Sequence, residues 1–139
     1  MKIDYKVDAE TAYTEIKDFV EYFKGIEQTE SDLEKDFAYT TRALRLGNLT
    51  IGEQNVPTLT LEEPIKTESG EIAVSEVTFK TRFKTSDHER IIAAMSGKKS
   101  EVIAFARTKA FLIGQPYAMM EKLGRFDEKV VAELTNLFL

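Results

Sequence analysis

The spacing of apolar and polar positions changes several times along the chain, and each change marks an element. Ile3, Tyr5 and Val7 alternate with Lys2, Asp4 and Lys6, which predicts a short half-buried strand over residues 2–7. Asp8 then stands at an N-cap position, and Ala9, Ala12, Tyr13, Ile16, Phe19, Val20 and Phe23 recur at helical spacing. Gly25 supplies the stop, because glycine enters the left-handed region without strain. Ser31 with Glu34 spells a capping box for a second helix. Its apolar positions Leu33, Phe37 and Leu44 make a looser stripe that ends before Gly47-Asn48. The short connection between the two helices predicts an antiparallel helical hairpin.

From residue 49 the period shortens to two. Leu49-Thr50-Ile51 and residues 58–66 predict strands on either side of a turn, with Pro64 confined to an edge or strand end because it has no amide to donate. A turn at Glu68-Ser69-Gly70-Glu71 leads into Ile72 to Phe83. There Val77, Phe79, Thr81 and Phe83 alternate with Thr78, Lys80 and Arg82, so residues 58–66 and 71–83 are expected to form a hairpin with one wet face.

Beyond Lys84 the pattern is helical to the end. Ser86 with Glu89 predicts one cap, and Gly97 closes that helix. Ser100 opens the next, whose residues Val102, Ile103, Phe105, Ala106, Ala110, Phe111, Leu112 and Ile113 are apolar around much of the circumference and predict a central position. Gly114 stops it, Pro116 starts a short helix, and Asp127 caps a last helix with the stripe Val130, Val131, Leu134, Leu137 and Phe138. The predicted fold is α+β: an N-terminal helical hairpin, a small antiparallel β-sheet and a C-terminal helical bundle. Residues 1–56 form the strand and helical-hairpin extension and residues 57–139 the β-hairpin and helices, expected as one compact unit with its loosest joint at 52–57.

At 139 residues, 42% hydrophobic and 31% charged, the chain suffices for one domain with a real core. It has no cysteine, which excludes disulfides, thiolate zinc sites and a cysteine nucleophile. A single histidine, His88, offers no pair for a His-ligated metal, so neither metal nor cofactor is expected. The net charge of −5 is uneven: residues 1–36 hold 11 acidic and 5 basic side chains, residues 37–139 hold 13 and 14. Such asymmetry is compatible with self-complementary association, although solvated helix faces account for it more simply. No stretch approaches the roughly 18 apolar residues of a membrane span, and the N-terminus lacks a signal peptide's apolar run, so a cytosolic location is expected.

Catalytic chemistry finds little support. His88 lies on a capped first turn beside Asp87 and Glu89, with no partner nearby to fix it as a general base. Ser96-Gly97-Lys98-Lys99-Ser100 has the flavour of a phosphate loop, but Ile92 stands where the first glycine belongs and a helix precedes it instead of a strand. Lys80, Arg82, Lys84, Arg90, Lys98, Lys99, Arg107 and Lys109 form a basic set, yet the overall charge is negative and no recognition helix stands out. The pairs Glu62-Glu63 and Asp127-Glu128 sit at turns or caps, where a carboxylate suits a helix start. The apolar terminus Leu137-Phe138-Leu139 either docks on its own core or faces a partner. The aromatics Tyr13, Phe19, Tyr22 and Phe23 pose the same choice, since Tyr22 lies off the main stripe.

Residues 59–139 carry a further pattern: Leu59-Thr60-Leu61-Glu62-Glu63-Pro64-Ile65, a turn at Gly70, Val74-Ser75-Glu76-Val77-Thr78-Phe79-Lys80, and Asp87 opening a helix. Gly114-Gln115-Pro116, the step from Leu123 to Asp127, and a last helix ending Phe138-Leu139 complete it. In order and spacing this resembles the tail assembly chaperone family of long-tailed bacteriophages, in particular the Mu-like tail protein E group. Two departures stand out: residues 1–56 extend beyond the family's short N-terminus, and Phe83-Lys84 replaces an apolar or proline position. The resemblance implies a non-enzymatic assembly factor in the cytoplasm of the bacterial host, often made also in a frameshifted longer form. Its partner would be the tape measure protein and, secondarily, the tail tube protein, with homo-oligomers allowed; from the residues themselves no membrane is expected, and the negative charge argues against nucleic acid. On that basis Val130, Val131, Leu134, Leu137 and Phe138, or the first helix, are the expected partner-binding surface, by helix-in-groove contact. A structural component of the phage tail and a small DNA-binding regulator are the alternatives.

Overall fold

The structure, a computed structural model, describes residues 2–95, 97 and 100–139. Helix α1 (Ala9–Lys24) begins and ends where its caps predict. The Asp8 carboxylate accepts the Thr11 N–H at 2.7 Å, and Gly25 turns left-handed at φ 68°. Residues 2–7 do not form the expected strand. The Lys6 and Val7 amides both donate to the Arg45 carbonyl, so they meet one acceptor on a helix end and no partner strand.

The second helix differs in two ways from its sequence pattern. Its capping box lies two residues earlier, with the Thr29 hydroxyl accepting the Asp32 N–H and the Asp32 carboxylate accepting the Thr29 N–H. It is also broken at buried Phe37 (φ −133°, ψ 31°) into α2 (Glu30–Asp36) and α3 (Ala38–Leu46). The fresh N-terminus of α3 has no local side-chain cap. Glu133, from the far end of the chain, supplies one by accepting the Tyr39 and Thr40 N–H groups and the Thr40 hydroxyl at 3.2, 2.8 and 2.7 Å.

Strands β1 (Leu49–Ile51), β2 (Pro57–Lys66) and β3 (Ile72–Thr78) form an antiparallel sheet in the order β1-β2-β3. Residues 52–56 are a hydrogen-bonded turn, with the Gly52 N–H on the Val56 carbonyl. Pro64 lies in the central strand, but beyond the reach of β1 and within the register shift between Thr60 and Ile65. At that irregularity Asp127 accepts the consecutive Glu62 and Glu63 amides at 2.9 and 3.1 Å, standing in for a strand neighbour. β3 stops at Thr78, opposite Thr58, because β2 begins just beyond that point. Alternate burial nevertheless continues past it: Phe79 is buried and Lys80 exposed, their amides held by Pro57 and Leu112 carbonyls.

Helix α4 (Thr85–Ala94) opens with the Asp87 carboxylate on the Lys84 N–H, so Ser86 is not its cap. Gly97 has φ 81°, while Ser96, Lys98 and Lys99 lie outside the described residues, and most of the phosphate-loop segment with them. Helix α5 (Glu101–Leu112) is capped by Ser100 as expected. A 3-10 turn (Tyr117–Lys122) follows Pro116 and leads to α6 (Arg125–Phe138). The N-cap of α6 is Gly124, so Asp127 sits inside its first turn, buried and turned towards β2 instead of capping. The α+β class is as predicted. One core joins Ile16, Phe19 and Val20 of α1, Leu44 of α3, Leu49, Leu59 and Leu61 of the sheet, and Val131, Leu134 and Phe138 of α6. Among the described residues no helix is long and apolar enough to cross a membrane.

Candidate protein-binding surface

The stripe on α6 is core, not a free surface. Val130, Val131, Leu134 and Phe138 are buried and Leu137 is half-buried. The Phe138 ring meets Phe19 and Phe23 edge-on at 6.2 and 4.8 Å. These contacts dock the C-terminal helix on its own fold, which removes the five residues as an exposed docking face and corrects that expectation. Of the α1 aromatics, Phe19 is buried, Tyr13 and Phe23 half-buried, and Tyr22 exposed against the edge of Phe23.

Large apolar residues are exposed at Tyr22, Ile26, Ile72 and Leu139, and two more lie on the neighbouring helices α4 and α5. Ile91 and Met95 turn inwards, whereas Ile92, one position further round the helix, is 49% exposed. Val102, in the first turn of α5, is 80% exposed. Between the helices runs a groove of about 580 Å³ lined by Ile92, Ala93, Met95, Ser100, Glu101 and Ala104. Tyr117 is a further exposed aromatic, its ring 4.4 Å beneath the Arg107 guanidinium. The central position predicted for α5 holds only at its C-terminal end, where Ala110, Leu112 and Ile113 enter the core. A helix apolar on all sides needs cover on all sides, and α4, α6 and the 3-10 turn cover α5 only in part.

The remaining candidates are accounted for separately. Lys98 and Lys99 lie outside the described residues. Lys80 lies over the Phe111 ring at 4.2 Å, Arg90 pairs with Asp87 at 3.1 Å and Lys109 with Glu128 at 2.6 Å. With Arg107 on Tyr117, four of the six described members of the basic set have partners within the chain. His88 is exposed and edge-on to Phe83 at 6.1 Å. Among the described residues no group of three or more His, Cys, Asp or Glu could hold a metal ion. Glu62 pairs with Arg42 at 3.1 Å. Burial raises the carboxyls of Asp127 and Glu133 above their ordinary values, against the hydrogen bonds that each accepts from backbone amides. Both carboxyls are used in joining elements: α6 to β2 and α6 to α3.

No protein-family model, characterised protein or solved structure matches this chain. The arrangement itself is therefore what speaks for function, and it offers an exposed apolar face beside a groove. Ile92 and Val102 were missed as surface residues because a helical stripe shows which positions are apolar, not whether another element reaches them. The adjacent pair Ile91-Ile92 was the available signal. Neighbours about 100° apart on a helix cannot both face one narrow contact.

Proposed function

We propose that this protein is a non-enzymatic tail assembly chaperone of a phage, which holds the tape measure protein while the tail tube grows and then releases it. The observation that carries the proposal is the uncovered α4–α5 face, with Ile92 and Val102 in water beside an apolar groove. The likeness of residues 59–139 to that family supplies the partner. A tape measure is a long amphipathic helix whose apolar side has no cover until the tube closes. Small apolar sites, each weak, engage such a helix along its length by multivalency and still let go.

The test is co-expression with the tape measure protein, followed by pull-down of the native chain and of a double variant, Ile92→Asp with Val102→Asp. Both positions are exposed, so the variant should fold with an unchanged circular dichroism spectrum and lose co-purification. Retention of the partner by a folded double variant refutes this surface. Mass spectrometry of finished particles separates the chaperone, which is absent, from a structural tail component, which stays.

A further inference from the structure

A second groove, of about 630 Å³, opens between α1, α2 and α3, and its lining has a different character. Ile16 and Leu33 are buried in it and Tyr13 is half-buried, while the exposed lining carries Glu10, Glu30 and Glu34. None of these three carboxylates makes an ion pair among the described residues. Arg45, the cation in the lining, has its guanidinium 3.7 Å over Tyr5 and its Nε on the Val7 carbonyl.

Helix stability accounts for only part of this charge. Glu10 and Glu30 occupy first turns, where the dipole favours an acid. Glu34 lies in the last turn of α2, where the same dipole disfavours one. It stands there without an ion-pair partner among the described residues, within an N-terminal third (residues 1–36) that already carries 11 acidic against 5 basic residues.

We infer that this groove docks a basic amphipathic helix. Apolar side chains of the occupant would enter over Ile16, Leu33 and Tyr13, and flanking Lys or Arg would meet Glu10, Glu30 and Glu34. The volume falls within the range of about 300–1,000 Å³ that accommodates compact ligand groups, enough for the few anchors one helix face presents. Apolar burial provides affinity, and the unpaired carboxylates select against acidic helices and speed encounter. This site is built from residues of the N-terminal 45 and does not depend on the α4–α5 face or on the tail-assembly proposal.

The probe is a fluorescent Leu/Lys amphipathic peptide of about five helical turns, with a Leu/Glu peptide of the same pattern as control. Fluorescence anisotropy should show the Leu/Lys peptide binding with an affinity that falls as salt rises, and the control not binding. The triple variant Glu10→Gln, Glu30→Gln, Glu34→Gln should weaken binding roughly tenfold or more while keeping its fold. Thr41→Trp, which fills the groove from its half-buried wall, should block binding, whereas Ile92→Asp with Val102→Asp should leave it unchanged. Equal binding of the two peptides, or a triple variant that binds like the native chain, overturns the inference. So does sedimentation showing a dimer that Thr41→Trp dissolves, which would assign the groove to a second copy of this chain.

Discussion

Helices α5 and α6 are both rich in large apolar residues, yet they end in opposite situations. On α6 the stripe Val130, Val131, Leu134 and Phe138 is buried, and two carboxylates of the same helix hold backbone amides of β2 and α3. On α5 the N-terminal half stays partly in water, with Val102 80% exposed. Apolar content therefore does not decide which helix is core. What separates them is what they touch: α6 packs on α1, α3, β2 and α5, whereas α5 packs on α6, on the 3-10 turn and on α4, which itself has α5 as its principal neighbour. The helix joined to the sheet and to the N-terminal helices became the centre of the fold, and the one flanked by the peripheral α4 was left with a face to offer.

The contrast predicts its largest effect at the centre of α6. Leu134 is fully buried against several elements, so Leu134→Ala should cost about 2–5 kcal/mol, read as a fall in the urea midpoint at unchanged slope. A loss below 1 kcal/mol would mean that α6 is not the hub.

The carboxylate ties should matter next. Asp127→Ala leaves the Glu62 and Glu63 amides without their acceptor inside the fold, at a cost of about 1–3 kcal/mol. The pH dependence has a definite sign. Burial raises Asp127 and Glu133 above their ordinary 3.8 and 4.5, so the folded chain binds these protons more tightly than the unfolded chain. The stability of the native chain relative to Asp127→Asn with Glu133→Gln should therefore rise as pH falls through the folded values, levelling off below 3.8. Asp8, Glu21 and Asp32 are shifted down and push the other way, but they are present in both proteins and cancel in the difference. Chemical denaturation across that range checks it, and a difference that falls towards acid would contradict the burial of these groups.

Two buried threonines sharpen the comparison inside the well-attached region. Thr40 and Thr135 are both fully buried, but the Thr40 hydroxyl donates to Glu133 whereas the Thr135 hydroxyl has no partner among the described residues. Thr135→Val should accordingly stabilise the fold by about 1 kcal/mol, and Thr40→Val should destabilise it by about the same amount. Thermal melts of the two single variants provide the readout.

Local chemistry was legible in the sequence; long-range chemistry was not. Asp8, Gly25, Ser100 and the strand alternation around Val77 and Phe79 act through neighbours a few residues away, and they stand where the pattern places them. Asp127 lies near a helix start, where a carboxylate reads as a cap, but its partners are 64 and 65 residues away. The break at Phe37 was hidden for the same reason, since the cap that lets α3 begin anew comes from Glu133. The α6 stripe is visible as a stripe, but whether it faces a partner or its own core depends on Phe19 and Phe23, more than a hundred residues earlier. The acidic groove is not legible in the sequence because it is assembled from three helices, one of which exists as a separate element only through that break.

The smallest effect belongs to the face that α5 leaves open, and it is the sharpest test of the contrast. A residue that no element covers removes little surface from water on folding, so its replacement has little to lose. Val102→Ser and Ile92→Ser should each change stability by no more than about 0.5 kcal/mol, although the same change at Val131 or Leu134 would empty part of the core. Ile92, half covered, should be the more sensitive of the two. If instead Val102→Ser lowers the urea midpoint as far as Leu134→Ala does, the first turn of α5 is covered in the folded chain, and the face assigned to a partner belongs to the core.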